Sequence, residues 1–235
     1  MSDSANHAAE FAAIWLTLKL AGVTTVLLLL SGTPIAWWLA NTRSWLKAPI
    51  EAIVALPLVL PPTVLGYYLL VSLGAQSPLG RWWTETTGAP LVFSFTGLLI
   101  ASILYSLPFA VQPMMAAFSG IDRRLLEASA VLGRRWPTTV WRVVLPGARA
   151  GVATAAVLTF AHTIGEFGVV LMVGGKIPGV TRTVSIDIYD DVQAFDYAAA
   201  GRTSLALLAF SLVVLVAVYS LQRRSGQRVL NRWAR

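Results

Sequence analysis

Cysteine is absent from the 235 residues. Disulfides, thiolate metal sites and thiol nucleophiles are thereby excluded. Histidine is nearly absent. His7 and His162 are the only two, so no histidine cluster exists to hold a metal. Charge is scarce as well, at 12% of residues, half the quarter that a soluble domain carries. So few charges cannot cover a water-exposed surface, and much of the surface is expected to face lipid. A phosphate-binding loop is missing too. The only Gly-Gly-Lys is Gly174-Gly175-Lys176, and Ile177 follows it. A G-x-x-x-x-G-K-[ST] loop needs a hydroxyl there for magnesium, so the chain has no recognisable ATP site. The first ten residues, MSDSANHAAE, lack the basic start and cleavage site of a signal peptide.

What is present is apolar. Hydrophobic residues make up 56% of the chain, and the mean hydropathy is +0.68. A membrane helix needs about twenty mostly apolar residues to cross ~30 Å of hydrocarbon. Five stretches qualify: Ala12 to Leu39, Ile50 to Leu73, Leu91 to Phe118, Pro146 to Val173 and Ala199 to Leu221. Lys19 falls early in the first, where its amine can snorkel to the interface. Trp37, Trp38, Trp45, Trp82 and Trp83 lie near predicted membrane edges, where amphipathic rings prefer the headgroup zone. Prolines interrupt two stretches: Pro57, Pro61 and Pro62 in the second, Pro108 and Pro113 in the third. Each removes a backbone donor. The result is either a packing kink or a broken helix beside a transport pathway.

Net charge is +7 and the pI is about 10.2. The basic residues sit between apolar runs, not on a separable polar domain, which argues against nucleic-acid binding. Arg43 and Lys47 follow the first stretch. Arg123, Arg124, Arg134, Arg135 and Arg142 crowd the link from Ser119 to Leu145. Arg223, Arg224, Arg228, Arg232 and Arg235 fill the tail. With five crossings these regions share one side. On the other, Arg81, Lys176 and Arg182 are opposed by Asp3, Glu10, Glu85, Asp187, Asp190, Asp191 and Asp196. The positive-inside rule puts the basic links and the C-terminus in the cytoplasm and the N-terminus outside.

Within the spans, His162 and Glu166 stand four residues apart, on one face of a continuous helix. Intramembrane ionisable groups are rare and mark pathways or interhelical packing. One His and one Glu make a poor metal site. Ser31-Gly32-Thr33 and Ser119-Gly120 are not nucleophile elbows, so a membrane enzyme using His162 and Glu166 would lack a nucleophile. A channel or scaffold that needs no ATPase is a further alternative.

The basic link 119–146 is the most informative segment. Residues Arg123 to Leu132 are good helix formers, and Gly133 permits a turn that a side chain would resist. Pro137 suits the first turn of a second short helix carrying Val140, Trp141, Val143 and Val144. The outcome is a bent, basic, amphipathic knob. It either lies on anionic lipid or docks a partner protein.

Glu127-Ala128-Ser129, Gly133 four residues later, nine further residues, and then Val143-Val144-Leu145-Pro146 resemble the E-A-A-x-x-x-G…I-x-L-P cytoplasmic motif of ABC importer permeases. Ser129 in place of Ala and Val143 in place of Ile are the departures. Leu56-Pro57-Leu58-Val59-Leu60-Pro61-Pro62, Gly66-Tyr67, Gly165-Glu166-Phe167-Gly168 and Ile177-Pro178-Gly179 with Thr181 and Thr183 resemble segments of the molybdate permease family. Another departure is His162, since relatives often carry Arg in that segment. The resemblance spans nearly the whole chain. It implies an all-α integral membrane protein of the type I ABC importer permease (MetI-like) fold, with residues 1–235 forming one permease domain. It implies a multi-pass protein of the bacterial inner membrane that translocates molybdate or a related oxyanion such as sulfate, thiosulfate or tungstate. It is not itself an enzyme and needs no cofactor. The implied partners are a cytoplasmic ATP-binding subunit, an extracytoplasmic substrate-binding protein, a second copy of the chain and membrane lipid. Glu127, Ala128, Ser129, Gly133, Leu145 and Pro146 would form the ATPase-coupling loop. Pro57, Pro61, Pro62, His162 and Glu166 would serve the pathway or helix packing.

Charge alternation makes the topology testable. A cytoplasm-active reporter fused to the tail is expected to be active, and a periplasm-active reporter in the Lys176–Asp196 loop likewise. A tail reporter active outside the cytoplasm would reverse the orientation.

Overall fold

The computed structural model describes the backbone of residues 2–233 and the side chains of residues 10–220 except residue 218. Asp3, His7 and the tail arginines Arg223, Arg224, Arg228, Arg232 and Arg235 therefore fall outside the described side chains. The described elements are all helical: α1 Ser2–Asn41, α2 Lys47–Val59, α3 Pro62–Leu73, α4 Pro78–Thr87, α5 Phe95–Ser119, α6 Arg123–Val131, α7 Trp136–Thr139, a π-helical turn Val140–Val144, α8 Leu145–Gly165, α9 Gly168–Gly174, α10 Val184–Gln193 and α11 Tyr197–Trp233.

Four helices are long and apolar enough to cross a membrane, and α2 with α3 makes a fifth span bent by 110°. The packing decides whether that bent pair crosses or turns back. Val54 of α2 joins a cluster with Leu39, Phe118, Val144 and Ala148, which lie where α1 and α5 end and α8 begins. Leu69 and Leu73 of α3 join a cluster with Leu91, Val92, Val169 and Val173, at the opposite end of the bundle. The chain enters α2 at one end and leaves α3 at the other, so the pair crosses. Five crossings result, as the apolar stretches predict.

Two of the five are not the continuous helices expected. The second breaks at Leu60-Pro61, both in extended conformations, with ψ of 136°. Pro57 stays inside α2, while Pro62 takes the first turn of α3, where its missing N–H costs nothing. The fourth stops at Gly165 instead of running to Val173. Glu166 is extended, and α9 restarts at Gly168. The third begins at Phe95, not Leu91, because the Ser94 hydroxyl caps it by accepting from Gly97 N–H at 3.2 Å.

α1, α5 and α8 form the centre. Lipid offers little hydrophobic drive between helices, so close approach at small residues must hold them. A Cβ on Gly151 of α8 would stand 2.2 Å from Ala117 Cβ and 2.8 Å from the Pro113 carbonyl of α5. Several hydroxyls within the spans bond back to their own helices, as in Thr17 to Ala13 O and Thr25 to Ala21 O, both at 2.7 Å, while those of Thr24, Ser102 and Thr159 are buried without a hydrogen-bond partner among the described residues. Lys19 sets its ammonium 4.7 Å from the centre of the Phe95 ring, at the N-terminal end of α5. The amine thus reaches toward the membrane edge, as snorkelling requires. By contrast α11 packs only along one side, on α8 and α10, and presents Leu205, Leu208, Leu212 and Val216 outward.

The close α5–α8 contact gives a paired test. Gly151→Val should lower the melting temperature of the detergent-solubilised protein and its yield. Gly22→Ala, in open space on α1, should leave both near wild type. Equal behaviour of the two variants would remove the contact from the account of packing.

Candidate functional site

The basic link folds as the sequence suggests. Asp122 caps α6, its carboxylate accepting from Arg124 N–H at 2.9 Å. Gly133 adopts φ +63°, the left-handed region that favours glycine, and a Cβ there would meet nothing within 4 Å. Pro137 lies in the first turn of α7. Beyond α7 the helix widens into the π-helical turn, where Leu145 N–H reaches Val140 O. Pro146 has no N–H to offer Arg142, so the register slips by one residue at this point. From Trp136 to Gly165 the chain is otherwise one 30-residue helical rod.

The knob is fastened to the bundle at few points. Trp136 packs on Trp37 of α1 at 5.5 Å, and Trp37 meets Phe118 of α5 edge-on at 5.4 Å. Leu126 and Ile121 pack against the inner core cluster. Ser129 and Thr139, both buried, place their hydroxyl oxygens 2.7 Å apart. Arg134 N–H donates to Ser129 O at 3.1 Å. Val144 is buried in the core and Thr138, Val140 and Val143 are half-buried, while most of α6 and the turn after it face outward. Glu127 and Ala128 are exposed, and Val131, Leu132 and Leu125 are 87%, 74% and 55% exposed. Isolated exposed apolar residues are ordinary, but grouped ones on a helix outside the spans mark a docking face. Of the six residues assigned to this link, Ser129 is buried, Leu145 half-buried, and Glu127, Ala128, Gly133 and Pro146 exposed.

At the far end of α8 the two helix breaks touch. A Cβ on Gly168 would lie 2.6 Å from Pro62 Cβ, and one on Gly66 would lie 2.7 Å from Met172 Cβ. The breaks at Pro61-Pro62 and at Glu166-Phe167 therefore cover one another. Glu166 is buried, and its Oε1 accepts from Val169 N–H at 2.7 Å. The carboxyl group caps α9. Its own carbonyl accepts from Ser185 Oγ at 2.5 Å. Thr17 Oγ1 of α1 accepts from Val184 N–H at 2.9 Å, so α1, the break and the start of α10 are laced together.

His162 does not share this network. The two residues do not share one face of a continuous helix, because Glu166 is extended and lies past the end of α8. His162 instead stacks on Phe109 at 4.0 Å and against Tyr105 at 5.2 Å. Its Nε2 is buried without a hydrogen-bond partner among the described residues. The structure thus brings the segments that hold Pro61-Pro62 and Glu166 together, keeps Pro57 within α2, and stacks His162 on Phe109. The capping role of Glu166 was not readable, since the apolar run on both sides of it reads as one helix. The Pro62–Gly168 contact and the Ser129–Thr139 bond join distant positions and had no local signal.

The loop after α9 is tied to α10 by charge. Lys176 Nζ lies 2.9 Å from Asp190, and Arg182 lies 2.6 Å from Asp187 and 3.6 Å from Asp190. Burial pushes the Asp187 carboxyl above the usual carboxylate range, with the Arg182 guanidinium opposing it. Buried Thr181 accepts from Ile177 N–H at 3.0 Å and closes the Ile177-Pro178-Gly179 turn.

The cap at the break can be tested directly. Glu166→Gln keeps an oxygen for the Val169 amide and should retain assembly. Glu166→Leu leaves that amide orphaned at membrane depth and should lower stability by about 1–2 kcal/mol. Thermal unfolding of both variants in the same detergent checks the difference, and equal midpoints would contradict the capping geometry.

A family model described as a binding-protein-dependent transport system inner membrane component matches residues 32–231. The molybdenum transport system permease protein ModB of Azotobacter vinelandii is 55% identical, over 91% of this chain and 95% of its own length. The corresponding protein of Escherichia coli K12 is 33% identical, over 93% of this chain and 96% of its own. In shape the chain is similar to a chain of the bacterial alginate ABC transporter, with a TM-score of 0.71 at 17% identity over 91% of this chain and 78% of that one. It is also similar to a chain of the inward-facing MetNI methionine ABC transporter, with a TM-score of 0.66 at 19% identity over 90% of this chain and 94% of that one. These two likenesses concern fold. With five helical crossings, the link bent at Gly133 and a family match over most of its length, the chain belongs to the binding-protein-dependent transport system inner membrane components.

Proposed function

We propose that the chain is the membrane-spanning subunit of an importer that moves molybdate, working as a pair of copies with a cytoplasmic ATPase and an extracytoplasmic binding protein. The observation that carries the transport reading is mechanical. The knob at one end and the paired helix breaks at the other are the two ends of one helical rod, residues 136–165. Closure of an ATPase dimer against the exposed face of α6 would tilt that rod. The contact between the two breaks would then open or close by rigid-body motion. Glu127, Ala128, Ser129, Gly133, Leu145 and Pro146 form the coupling element, and Pro61, Pro62 and Glu166 lie at its far end beside the path.

Molybdate is favoured over sulfate, thiosulfate or tungstate by the names of the relatives at 55% and 33% identity. Substrate choice rests mainly with the binding protein, since a pathway that held the anion tightly would slow its release. An enzyme using His162 and Glu166 is disfavoured because the Glu166 carboxyl is engaged by the Val169 amide and His162 is stacked elsewhere.

Labelled-molybdate uptake is the test. Cells lacking the chain should lose high-affinity uptake and regain it on complementation, with excess sulfate competing poorly. Complementation with Gly133→Val should restore insertion but little uptake, because a β-branched residue in the left-handed region costs about 1–2 kcal/mol. Glu127→Lys should behave alike, through the docking face. Full uptake by either variant would remove the coupling role, and strong competition by sulfate would shift the substrate.

A further inference from the structure

The knob is made of two parts with different attachments. α7 continues through the π-helical turn into α8, and Trp136 anchors it on Trp37. α6 carries the exposed face, and only Leu126 of that helix reaches the core. The two parts meet through residues 132–135. At the centre of this turn a Cβ on Gly133 would meet nothing within 4 Å, so no packing against a side chain at this position stiffens the turn. Three bonds brace it. Two are backbone bonds within the end of α6, Gly133 N–H to Ala130 O at 2.9 Å and Arg134 N–H to Ser129 O at 3.1 Å. The third is the hydroxyl pair Ser129–Thr139 at 2.7 Å, the one of the three that spans from α6 to α7. Ser129 is 8% and Thr139 5% exposed, so water competes little for the bond. Among the surrounding residues of the knob, which are largely exposed, a buried side-chain pair stands out.

We propose that the Ser129–Thr139 hydrogen bond is a clasp that holds the docking face of α6 at a fixed angle to the α7–α8 rod, so that force applied to α6 moves α8 instead of bending the turn at Gly133. The proposal rests on the importer reading above. Ser129 and Thr139 are positioning residues, and they act through the face they orient. Opening the clasp lets α6 follow the ATPase while α8 stays behind, and nucleotide is hydrolysed without transport.

The complex of this chain with its ATPase and binding protein, reconstituted in liposomes, provides the readout: molybdate imported per ATP hydrolysed. The variant is Ser129→Ala with Thr139→Val, which removes both hydroxyls and orphans neither, so packing stability changes little. The expected result is normal assembly, ATPase activity retained, and a fall in the import ratio of about fivefold, the equivalent of ~1 kcal/mol for one lost bond. Thr139→Ser keeps the hydroxyl and should hold the wild-type ratio. A double variant with the wild-type ratio overturns the clasp. So does one whose import and hydrolysis fall in parallel, since that marks a merely structural bond. Should the double variant fail to assemble, Ser129→Ala alone decides by the same ratio, and an unchanged value overturns the proposal. A wild-type complex that imports no molybdate would instead remove the importer reading. Wild-type import with an unchanged variant ratio removes only the clasp.

Discussion

Hydrocarbon cannot hydrogen-bond, so every backbone polar group at membrane depth needs a partner within the protein. The rest of this structure follows from that constraint. Continuous helices satisfy most of it alone, and α1, α5 and α11 are continuous, although Pro34 in α1 and Pro108 and Pro113 in α5 each deprive one carbonyl of its helical donor. The second and fourth spans are not, because each is interrupted at a short extended segment. Such a segment survives only where protein covers it. Here the coverage is mutual. The Pro62 ring lies against Gly168, α3 packs on α9 through Gly66 and Met172, and the Glu166 carboxyl takes up an amide of the restarted helix. The two breaks cover one another, and a motion that separated them would expose backbone and cost free energy.

That coupling gives the rod from Trp136 to Gly165 a defined task. A helix of α8's 21 residues spans about 30 Å, the thickness of the hydrocarbon core. Its near end is continuous with a knob outside the spans, and its far end stops at the paired breaks. Gly151 keeps its middle in close contact with Ala117 and Pro113 of α5. Val144 and Ala148 hold its near end in the core, and Ser106 Oγ of α5 lies 3.1 Å from Thr163 Oγ1 near its far end, so α8 is tied into the bundle along its length, from the knob to the breaks.

Five crossings, the charge alternation and the bent link were legible in the sequence because each rests on local information: apolar length, arginine placement, and Gly133 followed by Pro137. The observed turn at φ +63° and the first turn of α7 fall where those residues place them. What was illegible depends on contacts between distant positions. Apolar composition runs on unbroken past Gly165, so the fourth span reads as one helix to Val173. It stops because Glu166 finds the Val169 amide, and Gly168 can meet Pro62 only without a side chain. The shared face read for His162 and Glu166 presumed helical geometry through residue 166. Once the helix ends at Gly165, the residue spacing no longer sets direction, and His162 stacks on Phe109 instead. Likewise Ser129 reads as a conservative replacement for alanine until Thr139, ten residues on, is seen beside it.

The position of Glu166 is informative for an importer of anions. Free amides at a helix start attract oxyanions, and a buried acidic group in an anion path repels them. Joined, each offsets part of the other's effect: the carboxyl group satisfies the amide, and the amide repays some of the carboxyl group's desolvation. Ser185 and Thr17 bind the flanking backbone in the same way, so the polar groups at this level face one another. On the molybdate reading, the path beside the breaks then offers the substrate neither a trap nor a barrier. Recognition can be left to a partner that meets the anion first, and the membrane chain needs only to open on one side at a time. On the same reading, the bonds that let the backbone break inside lipid would also keep the break from holding the anion.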